Sequence, residues 1–299
     1  MNDVLHTEEL TKAYNKTNVV DHVSLTVHQG DIYGFVGKNG AGKTTFIRLV
    51  LGLTQPTSGS FHFFDGAPLA DARRKTGSLI EGPSLYRNMT ARENIELYAA
   101  MLKADKKRSQ ELLQTVGLSD TGKKRVADFS LGMKQRLGIA MALVGDPDFL
   151  MLDEPINGLD PKGIVEMREL LLSLHRQGKT IFISSHILGE LEKVATRYGI
   201  IANGHMVEEI TAEELQKKCV SRTVIKTGDP QKAAAVAARI LQTDAITIEN
   251  GLLMIAQPVE NIGALTNAMF AENIVVSGIS SDDNSAEQYF IRRMEEESI

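Results

Sequence analysis

Cysteine is almost missing from this chain. Cys219 stands alone among 299 residues, which excludes an internal disulfide framework, fits a reducing compartment and leaves that thiol as a small packing residue. Proline-rich linkers, internal repeats, low-complexity tracts and heptads of useful length are also missing, so neither disorder nor a coiled coil is expected. No apolar run approaches the ~20 residues needed to cross a bilayer. The start, MNDVLHTEEL, lacks the basic and apolar regions of a signal peptide, so any work at a membrane is expected to pass through a partner. Surplus positive charge is absent as well. The net charge of −5 lies wholly in residues 221–299, which hold 6 Lys/Arg against 11 Asp/Glu, while the remainder holds 27 of each; such an acidic tail offers no face to a nucleic acid.

What is present is a globular composition, 42% hydrophobic and 24% charged, in two regions of different texture. Up to about residue 220, apolar runs (IYGFVG at 32–37, FLML at 149–152, TIFIS at 180–184) alternate with segments of helical period. Strands this continuously apolar suit a parallel sheet covered on both faces. Ile164, Met167, Leu171 and Leu174 form one stripe of a crossover helix between two of them. VSLTV at 23–27 alternates instead, as a half-buried antiparallel strand does, and Asn203-Gly204 marks a two-residue hairpin. From about 221 the order becomes strand TVIK, helix 230–241, a hairpin at Asn250-Gly251, a helix near 259–271, strand NIVVSG and a last helix from Ser285. That βαββαβ order predicts a small ferredoxin-like α+β domain over 221–299, after an α/β domain over 1–220.

Gly37-x-x-x-x-Gly42-Lys43-Thr44 follows an apolar strand directly and opens the helix TFIRLVLGL. Glycines let the backbone wrap a phosphate with its N–H groups inward, and the helix N-terminus adds positive potential. Lys43 is expected to reach the β- and γ-phosphates and the Thr44 hydroxyl to ligate Mg²⁺, with Asn39, Gly40, Ala41 and Thr45 completing the cradle. FLMLDEP at 149–155 then ends a buried strand on two carboxylates, at the sheet edge where ligands of open α/β folds sit. Asp153 is placed to hold Mg²⁺ and Glu154 to polarise a water attacking the γ-phosphate, which favours ATP hydrolysis over transfer.

A second cradle lies in FSLGMKQR at 129–136. Ser130 can cap the helix bearing Leu137, Ala140, Met141 and Val144, but a cap alone does not explain Gly132 in the first turn, where glycine costs about 1 kcal/mol against alanine. Close approach of a phosphate does. With the P-loop and the Asp-Glu pair, Ser130-Leu131-Gly132-Met133-Lys134-Gln135 resembles the serine-glycine signature loop of ATP-binding cassette ATPases.

That resemblance covers residues 3 to about 218. It implies a P-loop ATPase fold with a mixed-sheet core, an antiparallel β subdomain and a helical subdomain. It further implies that Ser130, Gly132 and Gln135 of one copy meet the nucleotide held by the P-loop of a second copy or a homologous subunit, so that two chains enclose two ATP. Residue by residue, Tyr14 resembles the aromatic that stacks on adenine, Asp160 in NGLD the D-loop aspartate that touches the partner, and His186 in ISSHILGEL the switch histidine that contacts the γ-phosphate and the attacking water.

Most of the family has glutamine in the loop where SLIEGPSLY stands, and this chain has Glu81. A carboxylate there offers acceptors only, binding metal more strongly and repelling bare phosphate. Glu81 resembles the acidic residue of lantibiotic self-protection and bacitracin-type export ATPases, and is expected at the metal and catalytic centre. MTARENI follows, with Thr90 and Glu93 spaced as a capping box, in the region that meets the coupling helices of a permease. The resemblance thus implies a transport ATPase that drives export of an antimicrobial peptide or other drug-like compound, cytoplasmic and held at the inner face of the cell membrane by separate transmembrane permease chains. The tail would support dimerisation or regulation. A soluble cassette ATPase acting on ribosomes or DNA is the alternative, disfavoured by the single cassette and the acidic tail.

Overall fold

The structure, a computed structural model, describes residues 2–219, 222–256, 259, 261–282 and 285–296. The chain runs β1 (Asp3–Tyr14), β2 (Thr17–His28), β3 (Ile32–Val36), α1 (Lys43–Val50), β4 (Ser58–Phe63), α2 (Leu69–Arg74), β5 (Thr76–Leu79), α3 (Ala91–Leu102), α4 (Ser109–Thr115), α5 (Leu131–Ala142), β6 (Phe149–Asp153), α6 (Pro161–Arg176), β7 (Thr180–Ser185), α7 (Leu188–Leu191), β8 (Arg197–Ala202) and β9 (His205–Thr211). It continues through α8 (Ala212–Lys218), β10 (Arg222–Thr227), α9 (Pro230–Leu241), β11 (Ile246–Glu249), β12 (Leu252–Ile255), α10 (Ile262–Ala271), β13 (Val276–Asp282) and α11 (Ala286–Glu296).

Every residue of β3, β6 and β7 is buried, as strands covered on both faces require. They lie in a six-stranded sheet ordered β5-β6-β7-β3-β8-β9, parallel except for the β8–β9 hairpin. That hairpin turns at Asn203 and Gly204, both at positive φ (49° and 87°), the geometry that an Asn-Gly turn supplies. Helix α6 crosses from β6 to β7 and buries Met167, Leu170, Leu171 and Leu174. The antiparallel sheet β2-β1-β4 turns Val23, Leu25 and Val27 into the same core. Phe46 of α1 packs on Phe35 of β3 and Phe182 of β7, with ring centroids 5.0 and 5.9 Å apart. Each such ring contributes about 2–3 kcal/mol by burial and fixes α1, and so the loop before it, over the sheet edge.

Helices α3, α4 and α5 pack together beside this core. Thr90 and Glu93 form the expected capping box: the Thr90 hydroxyl accepts from Glu93 N, and the Glu93 carboxylate accepts from Thr90 N at 2.7 Å. That pairing holds the Glu93 carboxyl below its ordinary value, first through the Thr90 backbone N–H and then through the hydroxyl.

The described residues divide into two compact units, one drawn from 1–212 with 292–299 and the other from 213–291. The boundary expected between 220 and 221 falls on residues outside those described. The second unit has an antiparallel sheet ordered β11-β12-β10-β13, the ferredoxin-like arrangement of a βαββαβ chain. Ile225, Leu253 and Ile255 face Val236 of α9 and Leu265 and Met269 of α10. Two elements differ from expectation. Helix α10 begins at Ile262, because Asn261 caps it by accepting from Ala264 N. Strand β13 starts only at Val276: Asn273, at φ 59°, and Ile274 spend their N–H groups on Phe270 and Met269 carbonyls, closing α10.

Candidate functional site

The P-loop geometry follows from its glycines. A Cβ on Gly37 would stand 2.6 Å from the Ile201 carbonyl oxygen, and Gly40 and Gly42 hold φ of 84° and 104°, which side chains other than hydrogen resist. Gly42 is also the N-cap of α1 and supplies no side-chain cap. The first N–H groups of α1 are thereby left for an anion.

Lys43 is only 6% exposed. Its ammonium donates to the Gly37 carbonyl at 2.7 Å and lies 3.2 Å from Glu154 Oε1. The Thr44 hydroxyl donates to Asp153 Oδ2 at 2.8 Å, while Asp153 Oδ1 accepts from Ser184 Oγ at 2.5 Å. These two hard oxygen donors, one a buried carboxylate, suit a small divalent cation such as Mg²⁺. Glu154 sits just past β6 at φ 49°, and its N–H donates to Ser184 O and Oγ, both at 3.1 Å. The strained backbone directs its second carboxylate oxygen to His186 Nδ1 at 2.8 Å.

Lys43, Thr44, Asp153, Glu154 and His186 therefore form one connected cluster beneath the P-loop. A cavity of about 220 Å³ opens above it, lined by Val19, Asn39, Gly40, Gly42, Lys43, Thr44, Thr45 and Glu154. Ser184 and Val19 were not anticipated. Register alone places Ser184 beside Asp153, and the second hydroxyl residue in TIFISS is the only hint the sequence carries. Tyr14, at the end of β1, is 46% exposed and has Lys12 Nζ 5.0 Å from its ring centroid.

The remaining expected residues lie elsewhere in the chain. Ser130 is exposed and caps α5, accepting from Met133 N at 3.2 Å. A Cβ on Gly132 would meet only Leu159 Cδ2 at 3.7 Å and Gly163 Cα at 4.0 Å, ordinary contacts, so packing within the chain imposes no glycine there. Gln135 is buried, and its Oε1 has no hydrogen-bond partner among the described residues. Asp160 spends its carboxylate on the N-cap of α6, accepting from Gly163 N at 2.9 Å. Among the described residues, no hydrogen bond or ion pair joins residues 130–135 to the P-loop. Glu81, at φ 55°, accepts from Arg48 Nη2 at 2.6 Å instead of bonding to Thr44 or Asp153. Beyond Glu81 lies a wider cleft of about 540 Å³, lined by Gly82, Pro83, Tyr86, Leu97, Tyr98 and Met101 among others.

A glycine cradle backed by a lysine, a hydroxyl–carboxylate pair and a carboxylate–histidine pair can bind a nucleoside triphosphate and activate water against it. Comparison with known proteins agrees. Residues 20–157 match the family described as "ABC transporter". The chain is 43% identical to the bacitracin transport ATP-binding protein BcrA of Bacillus licheniformis, over 98% of this chain and 97% of that one. It is 43% identical to the lantibiotic transport ATP-binding protein SrtF of Streptococcus pyogenes, over 69% of this chain and 90% of that one. A solved ATP-binding subunit of an ABC transporter superposes with a TM-score of 0.63 at 31% identity, covering 72% of this chain and 92% of its own. With that fold, that P-loop and those relatives, the chain belongs to the ATP-hydrolysing ATP-binding subunits of ABC transporters.

Proposed function

We propose that the chain powers the export of peptide antibiotics of the bacitracin or lantibiotic kind, as a pair of copies bound to separate permease chains at the inner face of the cell membrane. The observation that carries the ATP-hydrolysing part of the reading is the single carboxylate of Glu154 held between Lys43 and His186 beside the P-loop. Likeness to the BcrA and SrtF proteins along most of the chain supports the substrate class, and Glu81 in place of glutamine agrees with it. No helix among the described residues is long and apolar enough to cross a membrane, which is consistent with a pathway formed by separate permease chains.

In this mechanism the P-loop N–H groups and Lys43 hold the β- and γ-phosphates. Thr44 and Asp153 would hold Mg²⁺, which would supply charge neutralisation at the phosphates. Glu154 takes the proton of the attacking water, and His186 keeps that carboxylate aimed at the γ-phosphate. Tyr14 stacks on the adenine. The exposed start of α5, with Ser130 and Gly132, closes on the γ-phosphate of the second copy, and Asp160 borders the same seam. Charge neutralisation from both chains lowers the barrier, so hydrolysis depends on pairing. The cleft beside Glu81 receives a short helix of the permease, which links closure around ATP to transport.

The test is a strain carrying this chain with its permease. Bacitracin or lantibiotic tolerance should rise above that of cells lacking the pair and vanish with Lys43→Ala, while the chain sediments with membranes. Unchanged tolerance, or sedimentation with ribosomes, contradicts the assignment.

A further inference from the structure

Arg48 lies in the last turn of α1, four residues after Thr44. Residues at that spacing share one helix face, with Cβ atoms about 6 Å apart. The Arg48 guanidinium reaches across to the loop after β5 and donates through Nη2 to Glu81 Oε1 at 2.6 Å. Glu81 adopts the left-handed φ of 55°, and Gly82 follows at 109°. Two successive positive φ values bring the carboxylate back toward α1, where a non-glycine residue at such a φ is uncommon.

The guanidinium that holds this carboxylate therefore comes from a residue one helical turn along α1 from Thr44, whose hydroxyl joins Asp153 in the oxygen pair that suits Mg²⁺. A carboxylate paired with Arg48 cannot at the same time serve a cation at that oxygen pair. We propose that Arg48 is a positioning residue that holds Glu81 away from the metal and thereby sets how much divalent cation the site needs. The proposal rests on the placement of Glu81 at the metal in the function proposed above. The pair is exposed, 43% and 58% at the two side chains, so its hold is weak and reversible, as a tuning device requires.

The probe is Mn²⁺, titrated into the full-length protein with a non-hydrolysable ATP analogue and followed by the paramagnetic resonance of the free ion. Arg48→Gln should lower the half-saturating Mn²⁺ concentration about two- to fivefold, the size expected of an exposed ion pair. Arg48→Lys should restore the parent value in part. In a Glu81→Gln background, Arg48→Gln should change nothing. An equal shift in both backgrounds would show that Arg48 acts only as a nearby charge, and no shift in either would remove it altogether; both results overturn the proposal. Glu81→Gln made in the Arg48→Gln background, where the carboxylate is no longer withheld, separates the two readings. If it leaves Mn²⁺ binding unchanged, the placement of Glu81 at the metal fails and this proposal with it; if it weakens binding while Arg48→Gln is silent, only the role of Arg48 fails. Thermal melting of each variant checks that the fold is kept.

Discussion

Lys43 and Glu154 form an ion pair beside the P-loop cavity, with Nζ 3.2 Å from Oε1. The lysine is anchored at the start of α1 and the glutamate just past the end of β6, so this contact joins the P-loop helix to the sheet edge that carries the Asp-Glu pair. The opposite carboxylate oxygen bonds to His186.

Glu154→Gln keeps the shape of that side chain and removes its basicity. Turnover should fall about 10²–10⁴-fold, the usual worth of a general base, with ATP still bound. Because hydrolysis is what reopens the proposed pair, the variant should accumulate as an ATP-bound dimer on a sizing column. Parent-like turnover would remove Glu154 from the chemistry.

Thr90→Ala removes one side of the capping box at the start of α3. The loss is about 1 kcal/mol, and it is local, since Thr90 joins the helix to the loop after Glu81. First-turn amides of α3, Glu93 N above all, should exchange hydrogen about fivefold faster. Exchange unchanged at those amides would mean that the cap contributes nothing in solution.

Glu209 on β9 supplies a pH dependence. Burial raises its carboxyl above the ordinary 4.5, and Arg197 opposes the shift. A folded value above the unfolded one means that its stabilising protonated form is fully present below about pH 4.5 and is lost as pH rises through the folded value. Glu209→Gln escapes that loss. Its melting temperature relative to the parent should therefore be more favourable at about pH 7.5 than at about pH 4.5; a gap that narrows with rising pH contradicts the sign.

The sequence made some of this legible and not the rest. IYGFVG, FLML and TIFIS showed the central strands because burial on both faces leaves no polar position to hide them. The P-loop, the Asp-Glu pair and the Ser130 cap were readable because each is a local pattern with a local cause. Ser184 was not, since its contact with Asp153 depends on strand register across 31 residues. Nor was the Arg48–Glu81 pair, which joins positions 33 residues apart through the fold. Strand β13 starts later than the apolar run NIVVSG predicts, because the closure of α10 at Asn273 and Ile274 uses N–H groups that such a run would otherwise offer to a sheet.

The central claim is that each hydrolytic site is completed by a second copy: Ser130 is exposed, a Cβ on Gly132 would make only ordinary contacts, and packing among the described residues does not explain the glycine. The most direct test mixes two inactive forms of the full-length protein, Lys43→Ala and Gly132→Asp, and measures ATP hydrolysis. If the second cradle acts across the pair, mixed dimers hold one complete site and the mixture recovers up to about a quarter of the parent rate, the statistical share of intact sites in a two-fold assembly. If each chain completes its own site, the mixture stays as inactive as its components, and the account is wrong.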